Sequence, residues 1–254
     1  MNLIIVIGNT RAKLLVFEDN DIVEQVFSDN QTLGELPDLL DRYTFEKGIL
    51  STVVRLTPKI EELLADLPFP FVRLTSQTPL PTPIRWRRRG ETECREMPAA
   101  MGADRIAAIA GAMALLPQTP LLIVDAGTCV TYELIDDEGY YLGGNIAPGL
   151  QMRLKSMHEH TSLLPLISAE GEVPELGYDT ETCMRSGALL GLQYEIEGYI
   201  RHWRSYYPAL QVFLTGGDKM DFSDDIQSIV HIDTALVPKG LNATLNAQRS
   251  LSKI

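Results

Sequence analysis

Cysteine is scarce in this sequence, and its spacing argues against a secreted domain held together by disulfides. The 254 residues include three cysteines, Cys94, Cys129 and Cys183, and none belongs to a CxxC pair. This pattern predicts reduced thiols and a cytoplasmic location. No apolar run approaches the length of about 18 residues expected of a transmembrane helix, and no basic segment precedes the short apolar stretch after Met1. We therefore expect neither a membrane span nor a signal peptide.

Positive charge is also in short supply. Twenty-two lysines and arginines face 34 acidic residues, which gives a net charge of −12. Nucleic acids and anionic membranes both require a basic surface, so we expect no nucleic-acid and no membrane partner. The basic segment at residues 85–89, RWRRR, is then typical of a loop that binds an acidic small molecule or pairs with neighbouring acids.

Several common site motifs are missing from the sequence. It contains no GxxxxGK[ST] phosphate loop, no GxGxxG dinucleotide motif and no GxSxG nucleophile motif. The segment His158-Glu159-His160 is not an HExxH motif, and histidines two positions apart do not share a helical face. We therefore expect no zinc site there.

What the sequence does contain is an internal repeat. When Gly8 is placed on Gly127, residues 4–21 (IIVIGNTRAKLLVFEDND) align without a gap to residues 123–140 (IVDAGTCVTYELIDDEGY). The aligned apolar residues are Ile4, Ile5, Leu15 and Val16 against Ile123, Val124, Leu134 and Ile135. Each copy predicts a strand, a glycine turn, a strand, an acidic turn and a third strand. The repeat predicts two related α/β halves, residues 1–117 and 118–254, with a cleft between them.

The rest of the chain fits this division. Apolar periodicity and turn residues predict further strands at 48–52, 71–74 and 211–220, and helices near 58–66, over 97–116 and over 179–207. The last of these helices begins with an Asp/Thr cap and a nearby Glu181.

Two segments of the second half suit a charged ligand. Asp125-Ala126-Gly127-Thr128 follows the apolar strand LLIV, and an acid beside a glycine turn and a hydroxyl can hold a cation near phosphate. An ordinary turn with an Asp cap is the alternative. Residues 143–149, GGNIAPG, predict a glycine-rich loop that opens a helix, whose first turn attracts anions.

Two further segments carry possible chemistry. In Gly102-Ala103-Asp104-Arg105 the acid and the base point to different sides of a helix. Arg105 can bind a carboxylate or phosphate, and Asp104 can accept a proton from an alcohol, although a solvated charged pair is the alternative. The segment at 215–218, TGGD, is a third glycine turn at a strand end, where an adenine ring can lie against bare backbone.

In their order along the chain, these segments resemble type III pantothenate kinases. The resemblance rests on IGNTRAK, GADR, DAGT, YLGGNIAPG, TSLLP, DTETCMRSG and TGGD, and it covers nearly the whole chain. That family belongs to the superfamily of acetate and sugar kinases, heat-shock chaperone ATPases and actin. The resemblance implies an α/β fold of two duplicated ribonuclease H-like halves, each with a mixed sheet flanked by helices, and a nucleotide cleft between them.

The resemblance also implies a reaction. Members of the family transfer a phosphoryl group from ATP to pantothenate and form 4'-phosphopantothenate, the first step of coenzyme A biosynthesis. It implies Mg²⁺, a monovalent cation (K⁺ or NH₄⁺) and a homodimer in which each site is completed near the subunit interface. Positioning and charge neutralisation supply most of the catalysis in such a transfer.

Site residues follow from the resemblance position by position. The ATP contacts are Val6, Ile7, Gly8, Asn9, Thr10, Arg11, Ala12, Lys13 and Thr128. The cation position is Asp125, and the proton acceptor is Asp104. The pantothenate contacts are Gly102, Ala103, Asp104, Arg105, Thr180 and Arg95.

Two positions depart from the family pattern. Val6 stands where the family has an aspartate near the magnesium–phosphate group, so its presence is expected to weaken metal–ATP binding or turnover. Arg95 stands where a tyrosine is frequent. Two alternatives therefore stay open: a non-catalytic nucleotide- or pantothenate-binding regulator of the same family, and a sugar or acetate kinase of the superfamily.

Overall fold

The computed structural model describes residues 1–95, 100–217 and 220–248. Its strands are β1 (Asn2–Ile7), β2 (Ala12–Glu18), β3 (Asp21–Ser28), β4 (Lys47–Thr52), β5 (Phe71–Arg73), β6 (Arg85–Trp86), β7 (Leu121–Ala126), β8 (Cys129–Ile135), β9 (Tyr140–Pro148), β10 (Gln211–Gly216) and β11 (Val230–Ile232). Its helices are α1 (Leu36–Arg42), α2 (Pro58–Ala65), α3 (Ala103–Leu115), α4 (Leu150–Glu159), α5 (Thr180–Arg204), α6 (Asp224–Gln227) and α7 (Leu236–Ala247).

The chain forms two compact units. The first comprises residues 1–118 and 235–254, and the second comprises residues 119–234. The sequence repeat predicted a single boundary after residue 117. In the structure the last part of the chain belongs to the first unit. Helix α7 packs against α3 there, with a glycine of each helix at the contact. A Cβ on Gly240 would lie 1.9 Å from the carbonyl oxygen of Ala107, so only glycine permits this close approach.

The first unit contains a five-stranded sheet in the order β3-β2-β1-β4-β5. The first three strands are antiparallel neighbours, whereas β4 and β5 run parallel to β1. Odd-numbered residues of β1, such as Leu3 and Ile5, pack against Leu36 and Leu39 of α1 in one core. The opposite face carries Asn2, whose amide donates to Asn242 of α7 at 2.7 Å.

The second unit repeats this arrangement. Its strands lie in the order β9-β8-β7-β10-β11, again with three antiparallel neighbours followed by two parallel ones. Residues of β7 such as Val124 pack against Leu192 and Ile196 of the long helix α5. The predicted α/β fold with two duplicated halves is therefore confirmed.

The alignment of the two hairpins needs one correction. In the first hairpin Ile4 pairs with Leu15, whereas in the second Ile123 pairs with Glu133. The gapless repeat had placed Leu15 opposite Leu134, one position further along. The first loop is one residue longer, because Gly8 bonds to Arg11 while Gly127 bonds to Cys129. One residue in a turn shifts the register of the following strand and turns its side chains over.

Most of the other predicted elements are present. Strands 48–52, 71–74 and 211–220 correspond to β4, β5 and β10, and the helices near 58–66 and over 179–207 correspond to α2 and α5. The helix predicted over 97–116 begins only at Ala103, and residues 96–99 lie outside the described part of the chain.

The prediction for residues 143–149 was wrong. This segment is not a loop: residues 143–148 continue β9 as an extended strand paired with β8, and α4 begins at Leu150. The pairing of β8 with β9 shifts in register between Leu134 and Ile135, which marks a β-bulge. Gly143 has a positive φ at this bulge, a conformation that glycine adopts readily. None of the helices described here is both long and apolar enough to span a membrane.

Candidate active site

The first glycine turn joins β1 to β2. The Gly8 N–H donates to the Arg11 carbonyl at 3.1 Å, which leaves Asn9 and Thr10 exposed at the tip. From the loop after β3, the Asn30 side-chain amide donates to the carbonyl oxygens of Gly8 and Asn9, both at 2.9 Å. Asn30 therefore fixes the turn. Sequence reasoning missed this residue, since nothing near SDNQT marks it as a neighbour of Gly8.

Two basic residues flank this turn. The Arg11 guanidinium stacks over the ring of Phe27 at 4.0 Å from its centroid, a cation–π contact that holds the side chain on the surface of the hairpin. Lys13 lies opposite Val6 in the β1–β2 pair, on the same face of the sheet. The first hairpin thus offers exposed backbone, a hydroxyl and a lysine, without a carboxylate at the strand end.

The second glycine turn joins β7 to β8. The Gly127 N–H donates to the Cys129 carbonyl at 3.0 Å, and Thr128 is exposed between them. The Gly149 N–H donates to the Thr128 carbonyl at 3.1 Å. A Cβ on Gly149 would lie 2.1 Å from the carbonyl oxygen of Gly127, so only glycine can occupy this position without moving the backbone.

A third glycine turn meets the same hairpin from the end of β10. Gly217 donates its N–H to the Ala126 carbonyl at 3.0 Å. Gly216 has a φ of +101°, and a Cβ there would lie 2.1 Å from the same carbonyl oxygen. Three glycine segments that were predicted separately, the turns at Gly127 and Gly216 and the strand–helix junction at Gly149, therefore meet around residues 126–128. Asp218, the last residue of the TGGD segment, lies outside the described residues.

Asp125 occupies the end of β7 beside this convergence. It is half-buried and lies in register with Thr131 of β8 and Thr215 of β10. Two hydroxyl residues therefore flank the carboxylate on the same sheet face. This is a polar environment at the carboxyl end of a parallel strand pair, which is where ligands of open α/β sheets bind.

A supporting network holds the strand that ends just before Gly149. Arg153 donates through Nε to the Pro148 carbonyl at 2.8 Å and through Nη2 to Glu195 of α5 at 2.5 Å. Glu195 also accepts from the hydroxyl of Tyr132 at 2.7 Å. Burial, and then this hydrogen bond, raises the pKa of Tyr132 far above its usual value, so the phenol stays protonated and donates. The network ties the end of β9 to α5.

The GADR segment lies at the start of α3. Gly102 is the N-cap residue, and one Asp104 carboxylate oxygen accepts from the backbone N–H of Arg105 at 2.8 Å. Gly102, Ala103, Asp104 and Arg105 are all half-buried. An acid in the first turn is favoured by the helix dipole, and its other oxygen has capacity to accept a further hydrogen bond.

Thr180 is exposed at the first position of α5. The preceding residue, Asp179, forms a capping box with Thr182, whose backbone N–H donates to Asp179 Oδ1 at 2.8 Å. Hydrogen bonds from the backbone and then the side chain of Thr182 lower the pKa of Asp179. The helix start that presents Thr180 is therefore well defined.

Arg95 pairs with another residue of its own loop. Its Nε and Nη2 atoms lie 3.0 and 2.8 Å from Glu91, and its guanidinium lies 5.7 Å from the Trp86 ring centroid. Arg95 follows the basic segment at residues 85–89, whose two alternative roles stay predictions. Contact between Arg95 and a substrate stays a prediction.

Asp125 is the candidate cation ligand. Across the described ranges, no group of three or more His, Cys, Asp or Glu side chains is placed to hold a metal ion by itself. A cation bound by one protein carboxylate completes its coordination with hydroxyl, carbonyl, water or ligand oxygens. The donors near the second hairpin, a carboxylate with hydroxyl neighbours, therefore fit a cation that shares its ligands with a bound phosphate.

Comparison with known families identifies the chain. The sequence profile of type III pantothenate kinase matches residues 2–202. The chain is a member of the type III pantothenate kinase family. A type III pantothenate kinase of Bacteroides fragilis is 45% identical over 246 residues, covering 97% of this chain and 98% of the relative. One from Porphyromonas gingivalis is 36% identical over 247 residues, covering 96% and 97%.

Solved structures agree on the fold. A protein described as a Baf family transcriptional activator from Campylobacter jejuni superposes with a TM-score of 0.57 at 19% identity, covering 96% of this chain and 97% of its own. One described as a 2-dehydro-3-deoxygalactonokinase from Sinorhizobium meliloti gives 0.56 at 15% identity, with 100% and 99% covered. At these identities the likeness concerns the fold alone, and this family member has the fold of sugar kinases.

Proposed function

We propose that this chain transfers the γ-phosphoryl group of ATP to the primary hydroxyl of pantothenate, the first step of coenzyme A biosynthesis. Family membership over nearly the whole chain supports this reaction. The structural observation that carries it is the convergence of three glycine segments on residues 126–128, in the turn that follows the carboxylate of Asp125. Such a turn presents backbone to phosphate without side-chain obstruction.

The ATP contacts are proposed at both hairpins. In the first, within residues 6–13, the exposed tip at Asn9 and Thr10 contributes backbone N–H groups and the Thr10 hydroxyl, and Lys13 contributes its ammonium. In the second, Thr128 contributes its exposed hydroxyl. Phosphoryl transfer passes through a loose, highly charged transition state, so donors fixed before the reaction stabilise it without reorganising. The hydrogen bonds from Asn30 and Gly149 supply that fixation.

The pantothenate contacts are proposed at Gly102, Ala103, Asp104, Arg105, Thr180 and Arg95. Asp104 accepts a hydrogen bond from the attacking hydroxyl and aligns it, and takes its proton as the phosphoryl group arrives. A guanidinium is suited to the pantothenate carboxylate because it donates two parallel hydrogen bonds. Arg105, at the start of α3, and Arg95 are the two candidates for this role.

Mg²⁺ is proposed to arrive with ATP and to neutralise charge on the phosphates. Asp125 is proposed to hold the monovalent cation, K⁺ or NH₄⁺, with help from neighbouring hydroxyls. Val6 supplies no ligand at the equivalent position of the first hairpin, so we expect a high KM for Mg–ATP. Removing a comparable electrostatic contact lowers catalysis by about 10²–10³-fold.

A homodimer is proposed on a property of the second unit. Several large apolar side chains between residues 146 and 178 are exposed, with Leu163 92% and Leu176 85% exposed. Large apolar side chains exposed to this extent favour burial against another subunit. Light scattering at micromolar concentration tests this, and a monomer would contradict it. We place the enzyme in the cytoplasm, where its three unpaired cysteines stay reduced.

The test of the function is an assay of ADP formation and of phosphopantothenate by mass spectrometry, with and without K⁺. Asp104→Asn keeps the shape of the side chain and removes its basicity, so kcat is expected to fall by about 10²–10⁴-fold. Asp41→Asn, an exposed acid of α1, is the matched control. A kcat for Asp104→Asn equal to that of Asp41→Asn would remove Asp104 from its proposed role.

The two alternatives are distinguished in the same assay. A non-catalytic regulator would bind ATP or pantothenate without turnover, and Val6→Asp would not produce any. A sugar or acetate kinase would phosphorylate its own substrate and leave pantothenate unchanged. Neither is favoured, because the relatives that match nearly the full chain are named pantothenate kinases.

A further inference from the structure

Ser51 of β4 has a buried hydroxyl with no hydrogen-bond partner. The residue is 1% exposed, and its Oγ makes no hydrogen bond to any residue that the structure describes. A buried hydroxyl is normally paired, because an unpaired one has lost its water without compensation. The Ser51 hydroxyl can therefore donate to a polar side chain placed beside it.

The neighbour of Ser51 across the sheet is Val6. The two residues are in register in the parallel β1–β4 pair, and Val6 is in register with Lys13 on its other side. Register partners project their side chains from the same face, with Cβ atoms about 5 Å apart. Val6 is thus a half-buried apolar side chain between a lysine and an orphaned hydroxyl.

The second unit shows what belongs at this position. Asp125 occupies the same place in β7, next to the strand end, and its register partner on the parallel strand β10 is Thr215. Thr215 is 4% exposed, so it too is a buried hydroxyl residue beside position 125. Ser51 is therefore the parallel-strand register partner of position 6, just as Thr215 is the register partner of Asp125.

We infer that Ser51 is a positioning residue for a carboxylate at position 6, and that Val6 is a single-residue departure at an otherwise intact acid site of the first hairpin. With an aspartate at position 6, the Ser51 hydroxyl would donate to the carboxylate and fix its orientation at the end of β1. This inference rests on the proposed function for the use of the carboxylate, but the hydrogen bond itself is a property of the fold.

The experiment is a double-mutant cycle on the full chain: the natural protein, Ser51→Ala, Val6→Asp and the double variant. Thermal midpoints and the KM for ATP are measured for each. With Val6 present, Ser51→Ala is expected to leave the midpoint unchanged or slightly raised, because it removes an unpaired polar group. In the Val6→Asp background, the same change is expected to lower the midpoint by about 4 °C and to raise the KM for ATP about tenfold.

Ser28→Ala is the matched control. Ser28 is also a buried, orphaned hydroxyl of this sheet, but its register partner is Ala12. Its removal is expected to have the same effect in both backgrounds. If Val6→Asp does not fold, the cycle is run with Val6→Asn, whose side-chain oxygen accepts the same hydrogen bond without a charge.

The outcomes separate the inference from the reaction. Equal effects of Ser51→Ala in both backgrounds, or destabilisation by Ser51→Ala when Val6 is present, would overturn the role of Ser51. Coupling in thermal midpoint without any phosphorylation of pantothenate would retain Ser51 and contradict the proposed function. Phosphorylation of pantothenate without coupling in thermal midpoint would support the proposed function and contradict the role of Ser51.

Discussion

The two hairpins of this protein share one topology but are held in different ways. In the first, a side chain holds the turn: Asn30 donates from its amide to Gly8 and Asn9. In the second, the main chain holds it: Gly149 donates its N–H to Thr128. A hydrogen bond from a side chain can be lost by one substitution with little effect on the surrounding fold. A hydrogen bond between two main-chain segments requires that they pack closely, which here requires glycine.

The position after β4 sharpens the contrast. The Val53 N–H donates to the Ile7 carbonyl at 3.2 Å, just as Gly217 donates to Ala126 in the second unit. The first unit makes this contact with ordinary residues. The second makes it with Gly216 and Gly217, where the backbone approaches so closely that a Cβ has no room at Gly216. The second hairpin is thus the more tightly enclosed of the two.

The largest expected effect on stability comes from adding a methyl group where the backbone is closely packed around the second hairpin. Gly149→Ala and Gly216→Ala each place a methyl group about 2 Å from a backbone oxygen, and are expected to lower the free energy of unfolding by about 3 kcal/mol or more. Chemical denaturation measures this. Gly217→Ala and Gly8→Ala are the controls, because a Cβ has open space at the first and 3.4 Å clearance at the second. Similar losses in all four variants would contradict the comparison.

A smaller effect separates two similar glutamates. Glu195 and Glu24 each accept hydrogen bonds from an arginine and a tyrosine. The tyrosine bonded to Glu195 is the buried Tyr132. Glu24 pairs with the exposed Arg42, whose hydrogen bonds lower the pKa of Glu24. Glu195→Ala leaves the buried phenol of Tyr132 without its hydrogen-bond acceptor. The change is expected to lower the free energy of unfolding by about 1–3 kcal/mol. Glu24→Ala is expected to cost clearly less in the same denaturation experiment. Equal costs would mean that burial does not distinguish the two networks.

The side-chain hydrogen bonds that hold the first hairpin predict a change in binding with little change in stability. Asn30→Ala removes two hydrogen bonds to the turn and is expected to raise the KM for ATP about 5–30-fold, with the KM for pantothenate unchanged. Steady-state kinetics measure both constants. Asn20→Ala, in the exposed turn at the other end of the same strands, is the control. An equal rise in both constants would indicate a general loss of structure.

The smallest effect concerns the start of α5. Because hydrogen bonds from Thr182 lower the pKa of Asp179 in the folded protein, its stabilisation is present above the unfolded pKa of about 3.9 and is lost as the pH falls through the folded value. Asp179→Ala should therefore unfold at a lower temperature than the natural protein at pH 7, with a gap that shrinks below about pH 4. A gap that does not change on acidification would show that charge is irrelevant to this cap.

Much of the fold could be predicted because its signals are local. Apolar runs ending in glycine turns indicated the first strands of each unit, and the Asp179 cap marked the start of the long helix. The segment at 143–149 was predicted to be a loop because its glycines are compatible with either state. Pairing with β8, which made it a strand, comes from residues nearby in space.

The candidate site was less accessible from the sequence. Asp125 and Thr128 could be named because they stand beside a glycine turn. Asn30 and Ser51 could not, because one lies in a loop and the other inside an apolar strand. Their places beside the first hairpin follow from a long-range hydrogen bond and from strand pairing.

The sequence by itself determined the repeat, the glycine turns, the family and the unusual valine at position 6, since each is a property of neighbouring residues or of their order. Only the tertiary structure decided that three glycine segments meet at residues 126–128, that α7 belongs to the first unit, and that a buried hydroxyl lies beside Val6. The physical reason is that a glycine in a sequence signals conformational freedom, whereas the atom it approaches is set by how distant segments pack.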